Sequence, residues 1–528
     1  MTTSEADSVR SDASGGAPAL PGPSRTALRD NLESIAMAVL LVLIVRQLVV
    51  EAFKIPTGSM APTLLGVHKE VRCTNCGWTF TVGYNKLTPE EKVWCPNCDY
   101  RWHGASPCWY PEDANGPSDK EDILFRQPEW LWNHGRTAGS GRTIEGMDAA
   151  NRVNRWGSRI FVNKFIYKFR TPRRWEVVVF LYPFYGAECK KCGWRGEIST
   201  RGPIQCPDCK SERISILDQK NYIKRLVGLP GETIKIRNGD LYVNGKIARK
   251  PPGIQERMWM PAFDSAFVPR QELERTWDFG STTARWKRNR SDGSLTADAL
   301  DSDQPVTVAF GRPVLDLCAY NGTHISSLMA LDAAEGEEVG DCRMELSLKV
   351  EQCGKAAKCG VGMEITEDDH SFVLFVPAAQ GGKAVLSDNG SVVAENKDAA
   401  LRRGRSARIV LENHDDLVVA ELDGKAIMQH AYKGNPKPAA PHKRLAFGAA
   451  GAKVLFDRVR IQRDVYYLPG REDEYKLGKD SYFVLGDNSP ESSDSRAWND
   501  VPADNLLGEA FAIFWPVHDI GLLSVGSR

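Results

Sequence analysis

Apolar and polar positions follow different patterns near the start of the chain and in its second half. Residues 35–45 carry no charged or polar side chain, and Arg46 and Gln47 then interrupt the run. The core of a bilayer needs about 20 mostly apolar residues, whereas a run of about 10–14 is typical of a cleaved signal peptide. The pattern therefore leaves two alternatives, a membrane anchor and a cleaved signal.

The anchor is favoured because no small-x-small cleavage pattern follows the run closely. We predict one transmembrane helix over residues 31–53, in which Arg46 extends its side chain toward the far interface. Arg25 and Arg29 precede the helix, and the positive-inside tendency then places the N-terminus in the cytoplasm. Residues 1–30 are rich in Ser, Ala, Gly and Pro without an apolar period, which indicates a disordered tail.

Short apolar runs in the second half indicate strands. Residues 344–350 alternate between apolar and polar, residues 372–376 are wholly apolar, and Gly, Asp and Asn turns separate such runs. Strands of this length with these turns are typical of a β-sandwich. We therefore predict a mainly β protein, with a β-sandwich over residues 256–462.

Charge and length narrow the class of protein. Lys plus Arg and Asp plus Glu both total 68, so the net charge is zero. No basic excess is present to neutralise phosphates, and we expect no nucleic-acid partner. The 528 residues leave room for two to four domains.

Three segments carry residue types suited to hydrolysis. Residues 55–64 place Ser59 between two prolines, and a serine hydroxyl becomes a nucleophile when a base removes its proton. Residues 222–232 begin as a strand with Lys224 among apolar neighbours, and full burial lowers a lysine pKa by up to about 3–5 units. Residues 484–496 form a strand end and a polar turn. Taken singly, each segment also fits an ordinary surface turn or a solvated strand.

In this order the segments resemble the bacterial signal peptidase I (leader peptidase) family of Ser/Lys-dyad serine endopeptidases. Residues 161–165 and 177–180 are similar to a fourth motif of that family. The resemblance implies a signal-peptidase-like coiled β-sheet catalytic core on one transmembrane helix, in the bacterial cytoplasmic (inner) membrane, with the catalytic domain outside. Its substrates would be exported preproteins, whose signal peptides are removed after small-x-small sites through an acyl-enzyme.

The resemblance also implies roles by position. Ser59 matches the nucleophile and Lys224 the general base. Thr57 stands where the family has a serine that donates to the oxyanion hole beside the Ser59 N–H, and Ser492 matches the residue that orients the lysine amine. The residues implied to brace the site are Gly486, Asp487, Asn488, Asp494 and Arg496. No catalytic cofactor is implied. None of the nine histidines lies in these motifs, and His68, the nearest to Ser59, is expected at the surface.

Cysteine spacing suggests a second kind of site. Paired Cys-x-x-Cys motifs occur twice, with 18 residues between the pairs in the first case and 13 in the second. Each pair presents two thiolates to one metal, and Zn²⁺ takes four in a tetrahedron. We predict two structural zinc ribbons, with disulfides as the alternative in an oxidising compartment. The ligands would be Cys73, Cys76, Cys95, Cys98, Cys189, Cys192, Cys206 and Cys209.

The motifs divide the chain into a catalytic core of four segments separated by insertions. The predicted order is a tail (1–30), a transmembrane helix (31–53), the core segment with the nucleophile (54–66), an insertion with the first ribbon (67–156), a second core segment (157–185), the second ribbon (186–218), the core segment with the general base (219–255), the β-sandwich (256–462) and the last core segment (463–528).

The sandwich leaves several questions open at this stage. Its end resembles concanavalin-like domains, so a carbohydrate or a protein ligand is possible. Its four cysteines suggest one or two disulfides of unreadable pairing, and they are Cys318, Cys342, Cys353 and Cys359. Two rival functions for the chain are a binding protein on a degenerate peptidase scaffold and a self-cleaving protein.

Overall fold

The computed structural model divides into two compact units, Met1–Glu51 and Ala52–Arg528. The residues it describes are 29, 31–38, 40, 50–73, 75–83, 91–92, 95–99, 154–199, 201–270, 276–302, 304–321, 323–324, 336–355, 358–379, 381–435 and 443–523. Nearly all of the predicted tail (1–30) and more than half of the first insertion lie outside these residues.

The structure describes only part of the segment predicted as a membrane helix. Residues 31–38 are helical and exposed, and residues 41–49 lie outside the described residues. Within the described residues, no helix is long and apolar enough to cross a bilayer. The predicted end at residue 53 is wrong, because Val50–Lys54 is an extended edge strand. Pro56 follows closely, and a residue that precedes proline is disfavoured in the helical conformation.

The described elements are almost all strands. Before the sandwich these are β1 Val50–Lys54, β2 His68–Arg72, β3 Thr79–Gly83, β4 Glu91–Lys92, β5 Asn154–Arg155, β6 Arg159–Asn163, β7 Val177–Leu181, β8 Phe184–Cys189, β9 Arg195–Ser199, β10 Ile214–Asp218, β11 Asn221–Gly228, β12 Thr233–Arg237, β13 Asp240–Val243 and β14 Lys246–Ile247. Within the sandwich they are β15 Met260–Asp264, β16 Trp277–Asp278, β17 Trp286–Arg288, β18 Leu295–Asp298, β19 Val306–Phe310, β20 Thr323–His324, β21 Cys342–Cys353, β22 Gly360–Glu367, β23 His370–Pro377, β24 Ala384–Asp388, β25 Ser391–Asn396, β26 Ser406–His414, β27 Leu417–Leu422, β28 Lys425–Ala431, β29 Lys443–Ala450 and β30 Ala452–Arg463. After it come β31 Tyr475–Lys476, β32 Ser481–Leu485, β33 Val501–Pro502, β34 Leu506–Trp515 and β35 Gly521–Leu522.

The helical elements among the described residues of unit 2 are short. The α-helices are α1 Pro252–Met258 and α2 Ser495–Trp498. The 3₁₀ turns are Ile166–Lys168, Gly280–Arg285, Ala319–Asn321, Ser489–Glu491, Ala503–Asn505 and Val517–Asp519. The mainly β fold class predicted from the sequence is therefore confirmed.

One sheet unites all the motif-bearing segments. Its strand order is β1-β6-β34-β7-β11-β32-β33, with β35 added to β34. Strand β11 runs antiparallel to β7, so that Lys224 lies opposite Val178, and its second half pairs with β32. Pairs distant in sequence thus bring the lysine strand beside the strand that leads into the third motif. A small sheet of β14, β13, β12 and β31 extends this core.

The large insertion is a two-sheet sandwich. One sheet has the order β17-β18-β30-β21-β26-β27-β28, with β15 on β30, and the other has the order β16-β19-β29-β22-β23-β24-β25. Alternate residues of strands from both sheets share one apolar core, for example Leu346, Ile365 and Phe447. The period-two pattern in the sequence therefore corresponds to inward-facing positions.

Both cysteine-rich segments form small sheets of their own, and the first also contacts the sandwich. Strands β3, β2 and β5 form one such sheet, β10, β8 and β9 form the other, and β4 pairs with β20 of the sandwich insertion. Asn97 accepts a hydrogen bond from the Asp264 N–H (2.7 Å) and donates one to the Phe267 carbonyl (3.1 Å). The first ribbon segment and the sandwich are therefore joined directly.

One disulfide closes the connection between β21 and β22, which lie in opposite sheets of the sandwich. Cys353 and Cys359 are bonded across six positions, whereas Cys318 and Cys342 are free. The sequence predicted one or two disulfides here, and the structure contains one among the described residues.

Candidate active site

The loop that carries Ser59 is anchored by apolar side chains on both sides of it. Met60 and Leu64 are fully buried in a cluster with Ile160 of β6. The Ala61 N–H donates to the Gly58 carbonyl (2.9 Å) and the Leu64 N–H to the Met60 carbonyl (2.9 Å), which tightens the turn. Ser59 itself remains half-buried, so its hydroxyl is held in place yet reachable from solvent.

Lys224 reaches this hydroxyl from strand β11. Its Nζ lies 2.5 Å from Ser59 Oγ, within hydrogen-bond distance, although the two residues are 165 positions apart. The residue is only 3% exposed, and the ring of Tyr222, two residues away on the same face of β11, lies 5.8 Å from Nζ. The interior position expected for Lys224 is therefore the one observed.

Burial changes the acid–base behaviour of this amine. Desolvation lowers the pKa of Lys224 to about 8, against the smaller upward effects of the Asp494 and Asp487 carboxylates. A neutral amine beside a serine hydroxyl can accept the hydroxyl proton, which is the requirement for a general base.

Arg225, the next residue along β11, has a different environment. It is also almost fully buried, and its guanidinium forms a two-point ion pair with Asp487 (2.7 and 2.5 Å). A third hydrogen bond goes from Arg225 to the Trp175 carbonyl (2.9 Å). The sequence did not single out Arg225, since a Lys-Arg pair in a strand is usually solvated. Asp487, expected near the site, is here the partner of this arginine.

Gly486 lies between the two serines of the site. A Cβ placed on it would stand 2.2 Å from Ser492 Oγ and 2.4 Å from the Ser59 carbonyl oxygen. Ser492 therefore lies close to Ser59, and its implied role of orienting the lysine amine stays a prediction. Its Oγ is shielded from solvent and has no hydrogen-bond partner among the described residues, so a bond from Ser492 to Lys224 is not observed.

Asp494 and Arg496 form a buried ion pair. Two guanidinium nitrogens of Arg496 donate to the Asp494 carboxylate, both at 2.8 Å, and Asp494 is fully buried. Asp494 also accepts from the Gly486 N–H (3.0 Å) and caps helix α2. Arg496 donates further to the Ser489 carbonyl (2.7 Å). The pair thus fixes the turn that carries Gly486.

Asn488 and Thr57 differ in how firmly they are held. The Asn488 side chain donates to the Gly58 carbonyl (2.9 Å), and its backbone N–H donates to the Ser59 carbonyl (3.1 Å). Thr57 is exposed two residues before the nucleophile, and its hydroxyl makes no hydrogen bond with any described residue. A hydroxyl at this position can donate to a bound substrate.

His68 is not the surface residue expected from the sequence. It is buried in β2, and its Nδ1 lies 2.8 Å from the Gly66 carbonyl oxygen, to which it donates. Burial lowers the pKa of the imidazole, which favours the neutral ring. His68 therefore helps to hold the loop that carries Ser59. The run of apolar residues around it in the sequence is too short to predict its burial.

Further supporting residues came from outside the recognised motifs. Gly157 allows close backbone approach, since a Cβ there would stand 1.9 Å from the Ile55 carbonyl oxygen. Ser158 donates from its N–H to the Leu65 carbonyl and accepts from the Leu65 N–H. Tyr320 and Asn321 of the sandwich insertion also reach the nucleophile loop and its neighbour Asn488. No repeated pattern in the sequence marks these residues.

The two cysteine quartets each converge on a point. Within each quartet the sulfur atoms lie within 4.8 Å of one another, and all eight thiols are free. The distances are 3.7 Å for Cys73–Cys98, 3.6 Å for Cys76–Cys95, 3.6 Å for Cys189–Cys209 and 3.5 Å for Cys192–Cys206. A tetrahedron with metal–sulfur bonds of about 2.3 Å has edges of about 3.8 Å, whereas a disulfide needs about 2.05 Å. Both quartets therefore fit a four-thiolate metal site.

The sequence of the chain is similar to those of several known proteins. The family profile described as "Signal peptidase, peptidase S26" matches residues 141–284 and 413–515, which include Lys224 and the Gly486–Arg496 turn but not Ser59. "Probable signal peptidase I-2" of Synechocystis is 39% identical over 82 residues, 13% of this chain and 38% of the relative. "Signal peptidase I V" of Bacillus subtilis is 32% identical over 108 residues, 20% of this chain and 44% of the relative.

These matches show that the chain is similar to serine endopeptidases by class. More particularly, the matched segments are similar to the signal peptidase I family, peptidase S26. The chain spans less than half the length of the two relatives named above.

A solved structure is similar to part of the chain. The carbohydrate-binding module CBM66 from Bacillus subtilis covers 36% of this chain and 97% of its own length at 13% identity, with a TM-score of 0.24. No ligand is inferred from an overlap of this size.

Proposed function

We propose that this protein removes N-terminal signal peptides from exported preproteins, with Ser59 as nucleophile and Lys224 as general base. The observation that carries the proposal is the 2.5 Å approach of Lys224 Nζ to Ser59 Oγ, combined with the burial that lowers the pKa of the amine to about 8. At that pKa a useful fraction of the lysine is neutral near physiological pH.

The chemistry follows from these positions. Neutral Lys224 takes the Ser59 proton while Oγ attacks the scissile carbonyl carbon. The Ser59 N–H and the Thr57 hydroxyl donate to the resulting oxyanion, a contribution of about 3–4 kcal/mol per donor in comparable sites. The protonated lysine then gives its proton to the departing amine, and an ester to Ser59 remains. Water, deprotonated by Lys224, hydrolyses that ester.

Two strand edges, unpaired among the described strands, support an extended peptide as the substrate. Strand β1 leads toward Ser59 and is the last strand of its sheet. Residues 221–224 of β11 pair with β7 on one side, and β32 joins the other side only from Arg225 onward. A substrate segment can add to such an edge through backbone hydrogen bonds, which do not depend on its sequence. Small side chains would then be selected near the buried dyad.

We further propose that the N-terminal apolar run anchors the enzyme in a bacterial cytoplasmic membrane. In this arrangement the chain crosses once, its N-terminus is cytoplasmic, and the lipid bilayer and membrane-bound preproteins are its partners. The support is the apolar run 35–45 and the basic residues before it. Sodium carbonate extraction of the full chain tests this: the protein should stay with the membranes, and release into the supernatant would contradict the anchor.

We also propose that the protein binds structural zinc. The eight cysteines of the two quartets would hold two Zn²⁺ ions, each with four thiolates and therefore with no open coordination position for chemistry. Catalysis would need no cofactor. A carbohydrate or protein ligand for the sandwich stays a prediction from the sequence.

The activity is tested by cleavage of a purified preprotein and N-terminal sequencing of the product. Ser59→Ala and Lys224→Ala should each abolish cleavage while the far-UV spectrum stays unchanged. Ser493→Ala and Lys220→Ala change exposed residues of the same types and should cleave normally. Full activity of either dyad variant, or no cleavage by the wild type, would contradict the proposal.

A further inference from the structure

The sandwich insertion touches the nucleophile loop through the 3₁₀ turn Ala319–Asn321. The Tyr320 ring lies against Gly58, where an added Cβ would stand 1.9 Å from the ring. Its hydroxyl donates to the Val67 carbonyl (3.1 Å). The turn therefore packs against Gly58, the residue immediately before Ser59.

Asn321, the next residue, forms a reciprocal pair with Asn488. Its side-chain amide donates to Asn488 Oδ1 (2.9 Å) and its Oδ1 accepts from Asn488 Nδ2 (2.6 Å). The second hydrogen of that same Nδ2 goes to the Gly58 carbonyl (2.9 Å). Asn488 is only 2% exposed, so water cannot readily replace these partners.

The geometry of the peptide bond connects this pair to the chemistry. The Gly58 carbonyl and the Ser59 N–H belong to one planar trans peptide and point in opposite directions. A side chain that fixes the carbonyl therefore fixes the direction of the N–H. The Ser59 N–H is the backbone oxyanion donor of the proposed mechanism, and the value of such a donor depends on its direction before reaction.

We propose that Asn321, contributed by the inserted sandwich, is a positioning residue for the oxyanion hole. It holds the plane of the Asn488 amide, Asn488 holds the Gly58 carbonyl, and the Ser59 N–H is thereby aimed at the developing charge. The inserted sandwich thus completes the catalytic site and is required for full turnover. The inference rests on the proposed function.

The test is steady-state cleavage of a signal-peptide substrate by the full chain. Removal of an oxyanion donor costs about 10²–10³ in kcat, and a misdirected donor should cost less. We expect Asn321→Ala to lower kcat about tenfold, to leave KM within about twofold, and to leave the pH midpoint of the rate unchanged, because Lys224 is not touched.

Two comparisons separate positioning from simple docking of the sandwich. Arg312→Ala removes hydrogen bonds from the sandwich insertion to the Pro96 and Asn97 carbonyls of the first ribbon segment without touching Asn488, and it should leave kcat unchanged. The double variant Asn321→Ala/Asn488→Ala should be no slower than Asn488→Ala alone, because both changes break one chain of contacts. Additive losses, or equal losses for Arg312→Ala and Asn321→Ala, would overturn the inference.

Three other outcomes of the experiment are a variant that does not fold, a variant that is unimpaired and a wild type that does not cleave. If Asn321→Ala does not fold, Asn321→Asp replaces it: the carboxylate accepts from Asn488 Nδ2 but cannot donate to Oδ1, and the same fall in kcat is expected. Wild-type cleavage with an unimpaired variant refutes the positioning role alone. Absence of cleavage by the wild type refutes the proposed function instead.

Discussion

Lys224 and Arg225 are adjacent cations in one strand, both almost fully buried, yet only Arg225 is paired with a carboxylate. Arg225 meets Asp487 at 2.5 Å, whereas Lys224 forms no ion pair with any described residue and instead meets the Ser59 hydroxyl. The ion pair stabilises the charge of the arginine, while burial without a partner disfavours the charge of the lysine. Two adjacent residues of β11 therefore differ in role: Arg225 carries a structural charge, and Lys224 is the base of the proposed mechanism.

The first prediction concerns pH. Burial lowers the pKa of Lys224 to about 8, and the base is the neutral amine. Activity should therefore rise as pH increases through about 8 and should fall about tenfold per unit well below it. The dependence of kcat/KM on pH for an uncharged substrate measures this midpoint. A midpoint near the ordinary lysine pKa of about 10.4 would mean that the lysine is not desolvated in solution.

The second prediction concerns stability. The pKa of Lys224 is lower in the folded chain than in the unfolded chain, so protonation penalises folding at pH values below about 8 and the penalty fades toward 10.5. Lys224→Met, which fits the same volume without charge, should raise the free energy of unfolding by about 2–3 kcal/mol at pH 7. The gain should shrink at a pH of about 9.5, because the lysine is then mostly neutral in the folded chain.

Urea unfolding of both proteins at the two pH values provides the measurement. Lys235→Met, at a lysine that pairs with Asp473 at the surface, is the control and should change stability little at either pH. A gain independent of pH would argue that packing, not charge, explains the effect.

The third prediction concerns Gly486. Alanine there would bring a Cβ within 2.2 Å of Ser492 Oγ and 2.4 Å of the Ser59 carbonyl oxygen, so the nucleophile loop must shift. We expect Gly486→Ala to lower kcat at least tenfold, because small displacements of reacting groups are costly. Gly486→Ala/Ser492→Gly should not restore full activity, since the backbone contact remains. Gly478→Ala, where the nearest atom is 3.4 Å away, is the matched control.

The fourth prediction concerns metal content. The purified chain should contain about two zinc ions by elemental analysis, and Cys192→Ser should contain about one, because three thiolates hold Zn²⁺ less well. Cys192 is exposed, so the substitution should leave the rest of the chain folded. Two disulfide-bonded quartets would instead give no zinc, and none of the eight quartet thiols would react without a reductant.

Residue order and spacing were enough to predict much of this site. Lys224 was expected inside because apolar residues surround it, and the cysteine quartets were expected from short-range spacing that one metal requires. The strands of the sandwich followed from period two. By contrast, the roles of Asn321 and Arg225 depend on contacts across 167 and 262 positions, and no local pattern encodes such pairings.

The errors have a similar origin. His68 is buried by residues from elsewhere in the chain, and the predicted helix end at residue 53 ignored the pairing that draws Val50–Lys54 into the sheet. Hydropathy records the polarity of a segment, but tertiary partners decide its conformation at the ends. The disulfide partner of Cys353 was likewise unreadable from the sequence, because the path of the connection from β21 to β22 sets it.

The bond from Asn488 to the Gly58 carbonyl spans 430 positions. A ribosome that adds about 5–20 residues per second needs on the order of 20–90 s to travel between those two codons. Throughout that interval the nascent chain carries Ser59 without the groups that shape the loop around it. In the proposed mechanism, the site can therefore cleave only near the end of synthesis, after the segment with Asn488 has been made.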